Sequence, residues 1–297
     1  MAKTGPQKYP GASTAYWHQK TWGGSAMESN VVVWHTTEGT SVPSYNGGRE
    51  APNFTAAPDF KAKKLRWYQH FDFDTSSRAL VNKSGGVETN TLNAVQVELV
   101  GTCDPNTHKR WGSTPHLYSA ELPDWVVRDL AAFAKWAHDQ HGVPLTARPV
   151  WLAYGKDSRR PGVSPASYGA SPARMSFAEW NGFKGHCGHQ HVPENDHGDP
   201  GAFPMAAILA VTKGGTPTTT TKATPSTSGE LDMTPEQVHA AVWGRDAIPS
   251  PTTVSTHKTN PTWKASSYLP ELVDRISRLT DKVDALTKAV TELKKGA

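Results

Sequence analysis

Val31-Val32-Val33-Trp34-His35 reads as a buried central strand with a histidine at its outlet. Four apolar residues in a row, three of them β-branched, suit a strand covered on both faces. Thr36-Thr37-Glu38-Gly39 then turns the chain, so His35 sits at the mouth of the strand, where it can face a cleft. A second strand is expected at 94–100, closed by Gly101, with Val95, Val97 and Leu99 alternating with Gln96 and Glu98. Side chains alternate between faces along a strand, so Glu98 points away from the apolar side. A weaker strand is expected over 65–73, and the rest of 40–90 reads as loop.

Helical signals surround these strands. Residues 123–141 carry Pro123 near the start, an apolar stripe of Val127, Leu130, Ala131, Ala134 and Ala137, and Gly142 as a stop. Shorter helices are expected at 176–181 and 203–211, the latter with Pro204 in its first turn. Strands alternating with helices across long loops predict an α/β domain over residues 1–212, a central mixed β-sheet flanked by helices.

Between the last two helices runs Gly185-His186-Cys187-Gly188-His189-Gln190-His191-Val192-Pro193-Glu194-Asn195-Asp196-His197-Gly198-Asp199-Pro200-Gly201. Its prolines and glycines interrupt regular structure, so it reads as a loop with fixed corners. Imidazoles, carboxylates and a thiol in this density suit a borderline-soft cation such as zinc. One loop cannot aim all of them inward, so a distant histidine on a rigid element is the expected partner.

Residues 213–230 form a Thr/Pro/Ser/Gly tract that cannot bury a core and reads as a linker. Residues 231–268 read as a small module, opened by the capping box Thr234-Pro235-Glu236-Gln237, with Trp243, Trp263 and Tyr268 among its aromatic residues. Residues 269–297 hold the cleanest periodicity: Leu269, Leu272, Ile276, Leu279, Val283, Leu286, Val290 and Leu293 alternate spacings of three and four. β-Branched residues at three of the four a positions (Ile276, Val283 and Val290) and leucine at every d position favour a parallel two-stranded coiled coil, and hence a homo-oligomer. The competing reading is a helix packed on its own domain.

Net charge is +4 and the pI about 8.9, which fits attraction to an anionic polymer. No basic cluster with interleaved aromatics reads as a nucleic-acid module. Cys103 and Cys187 make no disulfide framework and read as reduced thiols. The N-terminal residues lack the apolar core of a signal peptide, and no run approaches the roughly 18 apolar residues of a membrane span, so membrane insertion is not expected.

Three pieces now stand in order: Val33-Trp34-His35, Val97-Glu98-Leu99-Val100-Gly101, and Gly188-His189 followed by Asp199-Pro200-Gly201. Together they resemble the zinc-dependent N-acetylmuramoyl-L-alanine amidases, which share their fold with peptidoglycan recognition proteins. The fuller phrasing is similar to endolysins of actinobacterial phages, and the resemblance spans about residues 28–212. It implies a zinc ion held by His35, His189 and Asp199, with the fourth position left to water. It implies that Glu98 holds or deprotonates that water. It also implies that His197, where many relatives carry lysine, stabilises the oxyanion or protonates the leaving amine. The implied substrate is bacterial peptidoglycan, cut between the muramic lactyl group and L-alanine. The implied site of action is the cell wall, reached from the host cytoplasm through a lesion made by another protein. One departure stands out: the tyrosine that relatives carry just before an Asn/His-Phe pair is missing beside Pro52-Asn53-Phe54.

Other readings compete. The same fold also serves as a non-catalytic peptidoglycan-binding protein, and a coiled coil also suits a tail-associated lysin of a virion. A zinc peptidase lacks its His-Glu-x-x-His motif here. Among the remaining groups, His186 and His191 read as loop or groove residues and Asp196 as a turn residue. Cys187 could replace Asp199 as a ligand. His70 and Arg78 read as solvated surface near a substrate wall.

Overall fold

The computed structural model describes residues 5–155, 171–194, 196–216, 246–249 and 262–295. The chain divides into two units, 1–221 and 222–297. The first runs α1 (Gln19–Trp22), β1 (Val31–Thr36), β2 (Phe54–Asp59), β3 (Lys64–Gln69), β4 (Ala94–Leu99), α2 (Pro105–Trp111), α3 (Asp124–His141), α4 (Phe177–Gly182), β5 (Gly185–Gly188) and α5 (Met205–Thr212).

All six residues of β1 are buried, the apolar run Val31–Trp34 and with it His35 and Thr36. It lies inside a five-stranded sheet of order β3-β2-β4-β1-β5. β1 pairs in parallel with β4 and β5, and β2 pairs in parallel with β4 but antiparallel with β3, so the sheet is mixed. Alternation along the strands then sorts the two faces. Val32, Trp34, Val95, Val97 and Leu99 join Leu130 and Phe133 of α3 and Ile208 of α5 in the main core. Val31, Val33, Ala94 and Cys187 pack on the opposite face with Met175, Val192 and Trp180 of α4. His35, two residues on from Val33, belongs to this second face.

The long helix α3 buries the whole expected stripe, and Gly142 ends it in the left-handed conformation at φ 72°. The N–H of Gly142 then returns to the carbonyl of His138 and that of Val143 to the carbonyl of Ala137, as a glycine C-cap allows. Trp67 of β3 stacks on Phe133 of α3 with ring centroids 4.6 Å apart. Truncating a fully buried leucine such as Leu130 in this layer costs about 2–5 kcal/mol.

Several elements differ from expectation. β2 lies in the stretch read as loop. Its pairing with β4 ends at Ala56, so Pro58, which has no N–H, falls where β4 asks for none. Gly185–Gly188 was read as part of a loop but forms β5, because Val31–Trp34 offers it a parallel partner. Asp104 caps α2 through the N–H of Asn106, with Pro105 at the first position, a helix that apolar periodicity did not reveal. α5 starts at Met205 with Pro204 as its cap residue.

In the second unit, β6 (Asp246–Pro249) and β7 (Thr262–Lys264) pair antiparallel within the stretch expected to form a small module. They lead into α6 (Ala265–Lys295). Residues 217–245, and with them most of the expected linker and the expected helix at Thr234, lie outside the described residues. Among the described residues no helix is long and apolar enough to cross a membrane.

Candidate metal centre

Three adjacent strands place their functional residues in one row. His35 of β1 is the register partner of Glu98 of β4, and Glu98 is the partner of Thr55 of β2. On the other side Trp34 pairs with Gly188, the last residue of β5, so His189 emerges level with His35. His35, Glu98 and His189 lie at the carboxyl ends of the parallel strands β1, β4 and β5, where open α/β sheets collect ligands. The loop after His189 returns Asp199 to the same point.

The distances are those of a ligand set. His35 Nδ1 lies 3.1 Å from His189 Nδ1 and 3.4 Å from Asp199 Oδ2, and His189 Nδ1 lies 3.1 Å from Asp199 Oδ1. A tetrahedron built on bonds of about 2.0–2.1 Å has edges of about 3.3 Å. All three residues are buried and could hold a metal ion. The tautomer of His35 fits as well. Its Nε2 lies 2.7 Å from Gln96 Oε1, and an amide oxygen only accepts, so Nε2–H donates and Nδ1 keeps its lone pair. Gln96, two residues before Glu98, shares its face.

The loop that carries His189 and Asp199 is held from several sides. The Gly188 N–H donates to His191 Nδ1 at 2.8 Å, and His191 Nε2–H donates to the Val150 carbonyl at 2.6 Å. The Gln190 N–H donates to the Asp199 carbonyl at 2.8 Å, while the Gln190 side chain donates to the Gly201 carbonyl and accepts from the Leu152 N–H. Arg174 donates to the carbonyls of His189, Val192 and His197 at 2.9, 2.7 and 2.9 Å. Gly188 has no room for a side chain: a Cβ there would lie 2.6 Å from Pro200 Cδ and 2.7 Å from the Trp151 ring.

Electrostatics divide the roles. Burial lowers the pKa of His189 to about 4, so its ring is neutral, the form that ligates. Burial also opposes charge on His35, but the Asp199 hydrogen bond and nearby carboxylates outweigh it and move His35 upward. Burial likewise opposes charge on Asp199, yet His189 and His35 hold its carboxyl well below the usual range. Glu98 goes the other way. Burial is the main cause, reinforced by Asp199 and Glu38, and lifts it to about 7. Glu98 Oε2 is enclosed and has no hydrogen-bond partner among the described residues.

These groups form one wall of an open cleft of about 540 Å³, opposite Tyr45, Asn46, Glu50 and Arg78. A larger hollow of about 820 Å³ lies elsewhere, beside Tyr9, Leu65 and Asp129, and contains none of the clustered ligands. His197 stacks on His189 with ring centroids 4.5 Å apart, and its Nδ1 lies 3.8 Å from Asp199 Oδ1. The ring is largely exposed.

The remaining candidates separate cleanly. His186 lies on the main-core face, accepts from the Trp34 indole N–H and is held by burial near a pKa of 3. His191 is a brace for the loop. Cys187 pairs with Val33, two residues short of His35, and is packed in the core, so it does not replace Asp199. Asp196 is exposed in the loop. Arg78 is exposed at the cleft, but His70 is fully buried, which corrects its reading as surface. A relay explains His70: Tyr45 O–H to Thr55 Oγ1 at 2.7 Å, Thr55 O–H to His70 Nε2 at 2.9 Å, and His70 Nδ1–H to the Tyr16 carbonyl at 2.8 Å. Tyr45, from the loop before β2, lines the cleft. Gln96 was legible from its two-residue offset to Glu98, whereas nothing in the sequence marked Arg174 or Tyr45.

No family model matches this sequence. No curated protein matches it either. Among solved structures, the chain is similar to a mutant endolysin from Bacillus subtilis, at 15% identity over 44% of this chain and 77% of that one, with a TM-score of 0.29.

Proposed function

We propose that residues 1–212 are a zinc-dependent N-acetylmuramoyl-L-alanine amidase of the endolysin kind, hydrolysing the amide that joins the muramic lactyl group to L-alanine in bacterial peptidoglycan. The observation that carries this reading is the His35–His189–Asp199 cluster beside a carboxyl group of raised pKa in an open cleft. Two imidazoles and one carboxylate leave a tetrahedral ion one open position, the arrangement of catalytic rather than structural zinc sites. Zinc bound there supplies Lewis acidity, acidifying a water and polarising the scissile carbonyl.

The chain's own groups do the rest. Glu98, with a pKa of about 7 at the wall of the cleft, accepts the proton of the attacking water and returns it to the nitrogen of the leaving amine. Asp199 keeps its charge and with Gln96 holds the two imidazoles in position. His197 donates a hydrogen bond to the carbonyl oxygen as charge develops there. The order of the three motifs along the chain supports the amidase assignment within zinc hydrolases. In this reading the second unit contributes wall contacts through residues 231–268, and the enzyme acts at the wall after release from the cytoplasm.

The test is mass analysis of soluble products from purified actinobacterial peptidoglycan, using wild type and His189→Ala with and without chelator. Stem peptides beginning at L-alanine, lost in the variant and on chelation, are the expected result. Products cut within the stem would replace the amidase by a peptidase. Wall binding without any release by zinc-loaded, folded protein would replace it by a non-catalytic binder.

A further inference from the structure

The helix α6 extends over 31 residues, about 46 Å at 1.5 Å per residue, yet its apolar seam is open. Ile276, Leu279, Val283, Leu286 and Val290 stand 42–66% exposed, all on one narrow stripe. Pro270 lies in its second turn and lacks the N–H that a helix interior uses, so the regular seam begins after it. An amphipathic helix of this length draws most of its stability from covering that stripe, not from propensity. We propose that the seam is covered by the same seam of a second copy of this chain, in a parallel, in-register, two-stranded coiled coil.

Three observations select that occupant. The stripe is as narrow as an a/d seam, which suits one facing helix better than the broader contact of a sheet or globular surface. In a parallel pair, Ile276, Val283 and Val290 meet their own counterparts at a, and Leu279 and Leu286 theirs at d, the combination that favours two strands.

The flanks agree. In the parallel register Arg275 of one copy faces Thr280 of the other, and Lys282 faces Thr287, so no like charges meet. The fully overlapped antiparallel register sets Lys282 against Lys282. Thr280 and Thr287 already donate their hydroxyls to the carbonyls of Ile276 and Val283 at 3.0 and 2.8 Å. Their methyl groups can therefore border the seam without leaving a polar group unsatisfied. Asp274, Arg278, Asp281, Asp284 and Lys288 fall on the outer positions, where water reaches them. Covering both seams removes on the order of 1,000 Å² from water, the size at which an interface becomes specific.

This inference is independent of the amidase reading. Sedimentation of the full chain at micromolar concentration is expected to give a species at twice the 32.2 kDa chain mass. A single-chain species overturns pairing, and a three-chain species overturns the two-stranded assignment. The doubly charged variant Leu279→Glu/Val283→Glu is expected to sediment as one chain while its far-ultraviolet signature from the first unit persists.

Orientation is read separately. Cys103 and Cys187 are both buried, so a single introduced Leu279→Cys reports alone on the seam. Interchain crosslinking of Leu279→Cys with itself is expected. Crosslinking only when Leu279→Cys is mixed with Val283→Cys would overturn the parallel register.

Discussion

His35 and Glu98 are register partners on adjacent parallel strands, one an imidazole of the cluster that could hold a metal ion and the other a carboxyl group held near a pKa of 7. Their pairing fixes an imidazole beside a carboxyl group without help from any loop. Strand backbones are the most rigid part of the fold, which is where a site that depends on tenths of an ångström is best built.

Glu98 should show opposite effects on stability and activity. Its folded pKa exceeds its ordinary 4.5, so the stability it contributes is full below pH 4.5 and is lost as pH rises through about 7. Glu98→Gln removes that loss. Metal-free Glu98→Gln is expected to be more stable than wild type at pH 8 by roughly 1–3 kcal/mol in urea titrations, while peptidoglycan hydrolysis falls by about 10²–10⁴-fold.

Gln96 Oε1 meets His35 at Nε2, leaving Nδ1 for the proposed zinc ion. Gln96→Leu keeps the ligands but removes their orienting acceptor, and should weaken zinc binding by about 10–100-fold in competition with a chelating dye. His35→Ala, His189→Ala or Asp199→Ala should abolish stoichiometric binding in the same assay. An unchanged zinc affinity in Gln96→Leu would show that His35 is held by packing alone.

Arg174 ties together three carbonyls of the ligand loop from outside the cluster. Arg174→Ala leaves these acceptors without their donor and is expected to cost about 2–4 kcal/mol of stability. It should also raise hydrogen exchange in 189–199 above that in β1. Lysine supplies charge but not the guanidinium fork, so Arg174→Lys should recover only part of the loss.

Acid should unfold the metal-free protein over a defined window. Burial is the leading cause that holds His70, His189 and His191 near 4 and His186 near 3, against an ordinary 6.5. The unfolded chain takes up these protons first. The stability they contribute is therefore present above pH 6.5 and lost as pH falls toward 4. Urea midpoints in chelator should drop steeply across that interval, and His70→Gln should reduce the slope by about one proton.

Gly188→Ala tests the close approach of the loop to β5. Its φ of −104° suits any residue, so only the contacts with Pro200 and Trp151 oppose a methyl group. Overpacking of this kind costs about 1–3 kcal/mol, and zinc affinity should fall with it because Pro200 adjoins Asp199.

The sequence by itself determined the elements whose signal is local. Val31–Trp34 has nowhere to go but a buried strand, α3 carries its stripe and its terminal glycine, and period two along 94–100 put Gln96 and Glu98 on one face. The seam of α6 was equally plain, since it repeats every seven residues. Tertiary structure decided what depends on a partner. Gly185–Gly188 is a strand only because β1 lies beside it, and β2 tolerates Pro58 only because β4 ends its pairing at Ala56. His70 resembled surface until the relay from Tyr45 and the covering N-terminal segment buried it. Cys187 and His186, neighbours of a ligand in sequence, point into cores on opposite faces, because alternation along β5 is set by its pairing with β1 and not by the residues themselves. Local pattern specifies which residues must leave water, and long-range pairing specifies which polar groups leave it together.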